Sequence, residues 1–470
     1  MTAIDSVFGD LMASAEKEFG KGKVIAADAL HDTMSGVTCP LAWAYFNGGG
    51  DVLPCGRVVG GDGPPGMFKS TLAMEHGRWV LKAGGVVVLV DTEEKTSDTL
   101  TRSLMFDLDP EVRKRFRYAK AKTTDEAQQL INFFKEKAKE FRKNLKPEQQ
   151  FPMLVIWDSL TGAVTEGQLT KLEKEGSAAT RAFPEQALQI SNFYKSYTVD
   201  DAFFTLLHVQ HAKKNNDPNA VGDDEFVPNG GLEPKYKSTY HFRMTSVRDI
   251  ESQEWAGKQV SMKMIKSGIG ENHRRMPLRV LWKHVWIEVP VMEEKSEGKW
   301  KVTPDPTGKK VDVDVAMAIY DSAKQALEPG QCDALMDFFG VLAKTVPTSC
   351  PLPLLERKKL QQTWFDWGWT LGNLLVELKY GEGLYAAEKK ELGATLDFTQ
   401  VSKDVVKSKE VFGDTEEHSL TEFGNKIEQM PEIVEKLKGF LGITKYQTVA
   451  QYATTHAPQV TKGKKKDEKK

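Results

Sequence analysis

The sequence predicts an α/β fold with a mostly parallel central sheet, and two patterns support this prediction. Short apolar runs that lack a clean polar–apolar alternation are typical of strands buried on both faces of a parallel sheet. Longer stretches with a helical pattern separate these runs, which is the rhythm of βαβ units. The predicted strands occupy residues 57–61, 86–91, 153–158, 203–210, 240–247, 260–266 and 278–289.

Helices are predicted between the first four strands, and they occupy residues 70–82, 124–143 and 178–195. The last three strands are polar at alternate positions, so we expect them to form an antiparallel edge. Ahead of the sheet, Val7, Leu11 and Phe19 fall on one face of a helical pattern. This amphipathic helix needs an apolar partner, which is either its own domain or a neighbouring protomer.

The composition of the chain changes after about residue 290. The charged stretch 293–310 is rich in Gly and Pro, which predicts a linker or a hairpin. Helical patterns follow at 312–345, at 353–393 with Trp364, Trp367 and Trp369, and at 431–442. We therefore divide the chain into an N-terminal segment 1–32, a core 33–290, a largely helical C-terminal domain 291–460 and a basic disordered tail 461–470.

Composition excludes several classes of protein. The 470 residues are 40% hydrophobic and 28% charged, which indicates a soluble globular chain. The longest apolar run near a strand, 86–90, is far shorter than the roughly 20 residues that span a bilayer, and no secretory signal is visible. Four cysteines form no CxxC pair, which indicates free thiols in a reducing compartment. A net charge of −2 leaves nucleic-acid binding open, because local patches decide it.

A loop with the pattern of a phosphate-binding loop follows the first strand and opens the first helix. It consists of Gly63, Pro64, Pro65, Gly66, Met67, Phe68, Lys69, Ser70 and Thr71. In such loops backbone N–H groups surround phosphate oxygens, the lysine supplies a charge and the hydroxyl that follows it binds Mg²⁺. Phe68 stands where glycine is usual, and because a Cβ disfavours positive φ, a functional loop is possible if Phe68 is already helical. The alternative is a degraded loop that binds no nucleotide.

Polar side chains follow the next three strands, at the edge where parallel sheets bind ligands. Glu93 follows the second strand and is a candidate to activate water. Asp158 ends the third strand and is a candidate ligand of Mg²⁺ together with Ser70. Gln210 and His211 end the fourth strand, where either could sense a terminal phosphate. The alternatives are an ordinary surface carboxylate for Glu93, a buried strand that merely ends in aspartate for Asp158, and a solvated strand end for Gln210 and His211.

Several segments resemble the RecA family of recombinases, and they occur in the order of that family. They are the stretch 16–22, which is similar to the polymerisation segment, then 53–57, the loop from Gly63, Glu93, Asp158, the pair Gly230-Gly231 followed by Lys235-Tyr236, and 264–267. Phe68 before the lysine and His211 after Gln210 are similar to the recombinases of large phages. The resemblance covers roughly residues 5–290 and weakens beyond them.

The resemblance implies a RecA-type P-loop ATPase core with ATP and Mg²⁺ as cofactors. Within this core, it implies Lys69, Glu93, His211 and Gln210 as the catalytic residues. Lys266 is then expected to reach the ATP of an adjacent protomer. The second lysine of the family pattern at this contact is replaced by Gly268.

The resemblance also implies two DNA-binding loops, at about 164–179 and 212–231. Cations along such loops pair with phosphates, and aromatic or apolar groups pack against bases. From the residues alone, ordinary solvated loops are the alternative. The candidate contacts are Lys171, Lys174, Arg181, Lys213, Lys214, Phe226, Gly230 and Gly231.

The expected function is therefore that of an ATP-dependent recombinase in recombination and repair. It would form helical filaments on single-stranded DNA and exchange that strand into homologous duplex DNA. Expected partners are both forms of DNA, further copies of the chain, and single-strand-binding or loading proteins, with no membrane. We expect a location in the bacterial cytoplasm, with a phage gene as an open origin. The alternatives are a RecA-fold ring motor of the helicase type and a non-hydrolysing DNA-binding paralogue.

Overall fold

The structure is a computed structural model. It describes residues 34–94, 104–175, 183–215, 225–251, 255–304, 363–381 and 386–455, with short gaps inside these ranges and a few isolated positions outside them. The predicted N-terminal segment 1–32 and the predicted helix 312–345 lie outside the described residues except at isolated positions, and the basic tail 461–470 lies outside them entirely. No helix in the described part of the chain has the length and apolarity that a membrane crossing requires.

Strands and helices alternate through the first half of the described chain. The strands are β1 Ser35–Thr38, β2 Val52–Pro54, β3 Val58–Gly63, β4 Val86–Asp91, β5 Phe116–Lys120, β6 Met153–Asp158, β7 Phe204–Lys214, β8 Phe226–Pro228, β9 Tyr240–Glu251, β10 Trp255–Ser267 and β11 Arg275–Lys283. The helices are α1 Leu41–Phe46, α2 Lys69–Lys82, α3 Pro110–Arg113, α4 Thr124–Arg142, α5 Glu166–Glu175, α6 Phe183–Ser196 and α7 Glu233–Lys237.

Shorter strands and further helices make up the rest. The strands are β12 Trp286–Glu288, β13 Pro290–Ser296, β14 Lys299–Pro304, β15 Lys310–Asp312, β16 Thr363–Phe365, β17 Thr399–Ser402, β18 Val405–Lys407, β19 His418–Ser419 and β20 Gln447–Thr448. The helices are α8 Trp367–Tyr380, α9 Ala386–Thr395, α10 Lys409–Phe412, α11 Leu420–Glu428, α12 Pro431–Phe440 and α13 Val449–Thr455.

The central sheet has the order β16-β11-β10-β9-β3-β7-β6-β4-β5, and β8 pairs with the end of β7. Pairing is parallel from β9 to β5 and antiparallel from β9 to β16. The predicted parallel core and its antiparallel edge are thus confirmed. The sheet is compatible with a RecA-like core.

The inner strands form where the sequence has continuous apolar runs. Every residue of β6 is buried, as are all but the first residue of β4, because helices cover both faces of the sheet. Thr123 starts α4 by accepting a hydrogen bond from the backbone N–H of Glu126 at 3.1 Å. The edge strand β5 was not predicted, since Arg117 and Lys120 leave its sequence without an apolar run.

The C-terminal part packs against the first half of the chain. β16 extends the central sheet by pairing with β11, and β20 pairs in parallel with β1. The prediction that Trp364 is helical is wrong: it lies in β16, where its backbone pairs with that of Leu281. The predicted hairpin after residue 290 is confirmed, since β13 and β14 pair antiparallel. The domain boundary at 290 stays a prediction, and one hydrophobic cluster includes both Val37 and Val449.

Close packing of α8 on α11 gives a stability prediction. A Cβ added to Gly424 would lie 2.0 Å from the carbonyl oxygen of Gly368, so the two helices would have to separate. We expect Gly424→Ala to lower the free energy of unfolding by about 1–3 kcal/mol. Gly439→Ala in α12 is the matched control, because nothing lies within 4 Å of the added Cβ. Urea denaturation should show a lower free energy of unfolding for Gly424→Ala than for Gly439→Ala. Equal free energies of unfolding in the two variants would contradict this packing.

Candidate functional site

The carboxyl ends of four parallel strands bring the predicted site residues to one edge of the sheet. The strand register places Gly63 beside His211, and Asp158 beside both Val209 and Asp91. Polar groups from distant parts of the sequence therefore face the same crevice, as is usual for ligand sites in such sheets.

The phosphate-binding loop leaves β3 at Gly63 and enters α2 at Lys69. Gly63 has a φ of 153° and Gly66 a φ of 76°, conformations that suit glycine. Phe68 does not meet the condition of a right-handed helical backbone, because its φ of 61° and ψ of 22° are left-handed. Phe68 precedes the first turn of α2, and its carbonyl accepts the N–H of Leu72 at 2.9 Å. Its side chain packs against the main hydrophobic cluster, which offsets a backbone cost of about 1–3 kcal/mol.

Lys69, Ser70 and Asp158, three of the predicted site residues, lie together at this edge. Lys69 is 5% exposed, and its ammonium donates to the carbonyl oxygen of Pro64 at 2.7 Å. Burial raises the pKa of Asp158 to about 6, while a hydrogen bond with Ser70 opposes the rise and the charge of Glu93 adds to it. Burial makes ionisation of the Asp158 carboxyl unfavourable, and a bound cation would offset that cost. Asp158 and Ser70 thus fit Mg²⁺, which keeps several waters and uses few protein ligands.

No group of three or more His, Cys, Asp or Glu side chains that could hold a metal ion occurs among the described residues. Mg²⁺ at Ser70 and Asp158 would therefore depend on phosphate oxygens and water for its remaining ligands.

The raised pKa of Asp158 makes stability depend on pH. As pH rises above the ordinary value of 3.8, the unfolded chain ionises first, whereas the folded protein keeps the proton until about pH 6. This contribution to the free energy of unfolding is present below pH 4 and is lost as the pH rises through 6, by about 2–3 kcal/mol. Urea denaturation without divalent cations should show this loss in the wild type but not in Asp158→Asn. Parallel pH curves for the two proteins would contradict it.

Glu93 lies at the centre of a hydrogen-bonded group. Its Oε1 accepts from the Ser159 hydroxyl at 2.6 Å and lies 2.7 Å from Nε2 of His211. Its backbone N–H donates to Oδ1 of Asp91 at 2.8 Å, which fixes the turn after β4. The Thr92 hydroxyl donates to the carbonyl oxygen of Ser159 at 2.6 Å and so ties the ends of β4 and β6 together. Ser159 and Thr92 were not predicted, because their partners are 66 and 67 residues away in sequence.

Gln210 lies beneath the end of the second predicted DNA-binding loop. It is fully buried, and neither its Oε1 nor its Nε2 has a hydrogen-bond partner among the described residues. A Cβ on Gly230 would lie 2.8 Å from this Oε1, so the glycine permits a close approach of the loop. The backbone N–H of Asn229 also donates to the carbonyl oxygen of His211 at 2.9 Å. The loop is therefore in contact with the Gln210 side chain and with the backbone of His211, so a shift at the end of β7 would move it.

The second predicted loop begins as a strand. β7 continues through Lys213 and Lys214, both exposed, and β8 pairs with it so that Lys214 faces Phe226 across the ladder. Gly231 has a φ of 82° and ends this hairpin. The β7–β8 hairpin thus presents two cations and an aromatic ring next to the predicted site residues.

The first predicted loop contains the helix α5, which corrects the expectation of an irregular segment. Thr165 and Gln168 cap its start reciprocally: the N–H of Gln168 donates to the Thr165 hydroxyl at 3.1 Å, and the N–H of Thr165 donates to Oε1 of Gln168 at 3.0 Å. This Thr-x-x-Gln signal was present in the sequence. Lys174 is exposed on α5, and Lys171 lies on the same helix. Arg181 lies outside the described residues.

Lys266 lies near the end of β10, beside α7. Its ammonium donates to the carbonyl oxygen of Tyr236, and burial together with the charge of Lys235 lowers its pKa. Tyr236 is 59% exposed, and the nearby helix α6 exposes 60% of Leu188. Two exposed apolar side chains, those of Leu188 and Tyr236, thus lie on the elements beside Lys266.

A basic groove that sequence reasoning missed runs along β9, β10 and β11. It has a volume of about 680 Å³, and α8 and the turn after β17 close one side of it. Phe226 of the β7–β8 hairpin lies at the groove as well. The cationic residues that line it are Arg243, Arg248, Lys263, Arg275 and Lys403, against the carboxylates of Glu225 and Glu377. An excess of positive charge makes this groove attractive to a phosphate backbone.

Comparison with known proteins points to one family. No protein-family model matches the sequence. The chain is 36% identical over 108 residues to RecA of Crocosphaera subtropica, which covers 22% of this chain and 30% of that protein. It is 34% identical over 109 residues to RecA of Rippkaea orientalis, with the same coverage. Against RecA of Chloroherpeton thalassium it is 35% identical over 97 residues, or 20% of this chain and 27% of that protein.

The matched part spans less than a third of the length of these relatives. These partial similarities support a relationship of the chain to the RecA family.

Proposed function

We propose that the chain is a DNA-dependent ATPase that forms filaments on single-stranded DNA and exchanges that strand into homologous duplex DNA. One observation carries the proposal. β7 leads from Gln210 and His211, at the phosphate-facing edge, straight into the hairpin that bears Lys213 and Lys214. A single strand thus connects a nucleotide site to a nucleic-acid surface.

In this proposal each residue of the site has a separate role in ATP hydrolysis. Backbone N–H groups after Gly63 and the Lys69 ammonium hold the phosphates. Mg²⁺, when bound at Ser70 and Asp158, would neutralise charge on the phosphate oxygens. Glu93 orients a water and accepts its proton, and the water oxygen bonds to the γ-phosphorus as ADP leaves.

His211 and Gln210 link the nucleotide to DNA in this proposal. A γ-phosphate draws His211 away from Glu93, which frees the carboxylate for water. Because the carbonyl of His211 holds Asn229 and Gln210 lies under Gly230, the same movement resets the β7–β8 hairpin. ATP binding then favours the DNA-binding state, and hydrolysis releases it.

Lys266 and the surface around Tyr236 are proposed to face a neighbouring protomer. There Lys266 would contact the ATP of that neighbour, and the exposed Leu188 and Tyr236 would pack against its surface. Head-to-tail contacts of this kind generate open helices when the rotation does not close. Assembly would then depend on ATP.

DNA is proposed to contact the β7–β8 hairpin and to continue into the basic groove. Phe226 would pack against bases, and the cations of both surfaces would pair with phosphates. Lys171, Lys174 and Arg181 would add contacts from the first loop segment. Single-strand-binding or loading proteins, a cytoplasmic location in bacteria and a phage origin remain parts of the proposal that follow from family resemblance alone.

Removal of the hairpin lysines should change how salt weakens DNA binding. Lys213→Ala/Lys214→Ala should lower the slope of log affinity against log salt by about 0.7 per lost phosphate contact on single strands. Fluorescence anisotropy with a labelled oligonucleotide across a salt series measures this slope. Lys445→Ala, an exposed lysine of the C-terminal part, is the control and should leave the slope unchanged. Equal slopes for all three proteins would argue against the hairpin as a DNA surface.

The proposed function is tested by ATP hydrolysis and strand exchange. Phosphate release should rise severalfold when single-stranded DNA is added to the protein with ATP and Mg²⁺, and homologous strands should then exchange. A chain that hydrolyses ATP equally with and without DNA, or that unwinds duplex as a motor, would contradict the proposal.

A further inference from the structure

A buried ionic group lies directly beneath the phosphate-binding loop. Asp62 immediately precedes Gly63 and is fully buried, as is His241, while Arg243 is 3% exposed. The Arg243 guanidinium donates from Nη2 to Oδ2 of Asp62 at 2.9 Å and from Nε to Oδ1 at 2.5 Å. Nε2 of His241 lies 3.0 Å from the same Oδ2. Arg243, a residue of the neighbouring strand β9, therefore makes a bidentate contact with the Asp62 carboxylate.

Separation of Asp62 from its two buried partners would cost electrostatic free energy. Burial opposes ionisation of Asp62, but the hydrogen bonds from Arg243 and His241 outweigh it and lower the pKa of the carboxyl to about 2. Removal of one partner would leave an uncompensated charge inside the protein. The charge balance at the base of the loop therefore depends on where the Arg243 guanidinium is.

Arg243 also reaches the basic groove. It is one of the residues that line the groove, and on β9 it pairs with Lys263 of β10 on one side and with Asp62 of β3 on the other. A phosphate in the groove offers the guanidinium the same bidentate geometry that Asp62 offers it. Arg243 is thus placed between the Asp62 carboxylate on one side and the basic groove on the other.

The residue after Arg243 makes a second contact with the loop. A Cβ on Gly63 would lie 2.6 Å from the carbonyl oxygen of Met244, so the backbone of β9 already packs tightly on the first residue of the loop. A shift of Arg243 and Met244 would therefore displace Gly63. Charge and packing act on the loop through the same stretch of β9.

We propose that Arg243 couples the basic groove to the nucleotide site. DNA phosphates in the groove compete with Asp62 for the guanidinium, and the altered contact at Asp62 and Gly63 changes the affinity of the loop for ATP. This inference rests on the proposed function and names one route by which DNA regulates it. By linkage, ATP changes the affinity for DNA by the same factor.

The test measures the affinity for a non-hydrolysable ATP analogue with and without a saturating thymidine oligonucleotide. The wild type should show a shift of about fivefold or more. Asp62→Asn/Arg243→Gln keeps a hydrogen-bonding side chain at both positions but removes both charges, and its shift should fall below about twofold. Arg142→Gln/Asp201→Asn is the matched control, because it neutralises another buried Arg–Asp pair and should keep the wild-type shift.

If Asp62→Asn/Arg243→Gln keeps the full change in affinity for the ATP analogue, the inference is overturned. Should that variant fail to fold, Arg243→Lys replaces it, since lysine keeps the charge but cannot hold both oxygens of Asp62. Loss of the shift in Arg243→Lys supports the inference, and an unchanged shift overturns it. If the wild type binds neither the ATP analogue nor the oligonucleotide, the proposed function itself is overturned. If it binds both ligands and every variant keeps the shift in affinity, only the route through Arg243 is overturned.

Discussion

Replacement of Lys69 by alanine should weaken ATP binding by at least about 100-fold and abolish ATP-dependent assembly on DNA. The reason is that Lys69 is a buried residue whose ammonium is held inside the loop by the carbonyl oxygen of Pro64. Charge-assisted hydrogen bonds from this ammonium to phosphates would contribute about 1.5–3 kcal/mol each. Two such bonds, to the β- and γ-phosphates, account for the loss. Equilibrium binding of a fluorescent ATP analogue measures it.

Lys82→Ala is the control for that experiment. Lys82 ends the same helix, and its 47% exposed side chain pairs with Asp107 at the surface. ATP binding should be unchanged in this variant. Strand exchange that survives in Lys69→Ala would mean that the loop does not hold the nucleotide.

Glu93→Gln should lower the rate of ATP hydrolysis by about 100-fold or more while ATP binding persists. The amide keeps the size of the side chain and can still accept the Ser159 hydrogen bond, but it cannot take a proton from water. Filaments should therefore form and then dissociate more slowly than those of the wild type. Single-turnover hydrolysis and dissociation from a labelled oligonucleotide measure the two effects.

Asp91→Asn serves as a comparison for Glu93→Gln. Asp91 holds the backbone of Glu93 and Glu94 through Oδ1, at 2.8 Å in both cases, so this variant alters position rather than chemistry. A smaller loss of turnover is expected from it. Full hydrolysis by Glu93→Gln would exclude Glu93 as the residue that activates water.

The inner strands and their polar ends were predictable from the sequence because strong local patterns specify them. β4 and β6 have the predicted bounds, since each apolar run stops at an aspartate that starts a turn. The phosphate-binding loop was equally visible as a spacing of residues. The structure brings Lys69, Glu93 and His211 to one edge, although their catalytic roles stay predictions.

The features that escaped prediction depend on contacts between distant residues. Asp62 and Arg243 are 181 positions apart, and nothing local marks either as half of a buried pair. Four of the five groove cations lie on β9, β10 and β11, whose alternate polar residues indicated only an antiparallel edge, and Lys403 lies in the turn after β17. Phe68 adopts a left-handed conformation because the loop and the hydrophobic cluster hold it there, against its own backbone preference.

Negative-stain microscopy of the protein with single-stranded DNA and a non-hydrolysable ATP analogue tests the central claim most directly. That claim is that the nucleotide site and the surface around Lys266 join copies of the chain around DNA. We expect open helical filaments that disappear when either ligand is omitted. Closed rings, or single particles with both ligands present, would contradict it.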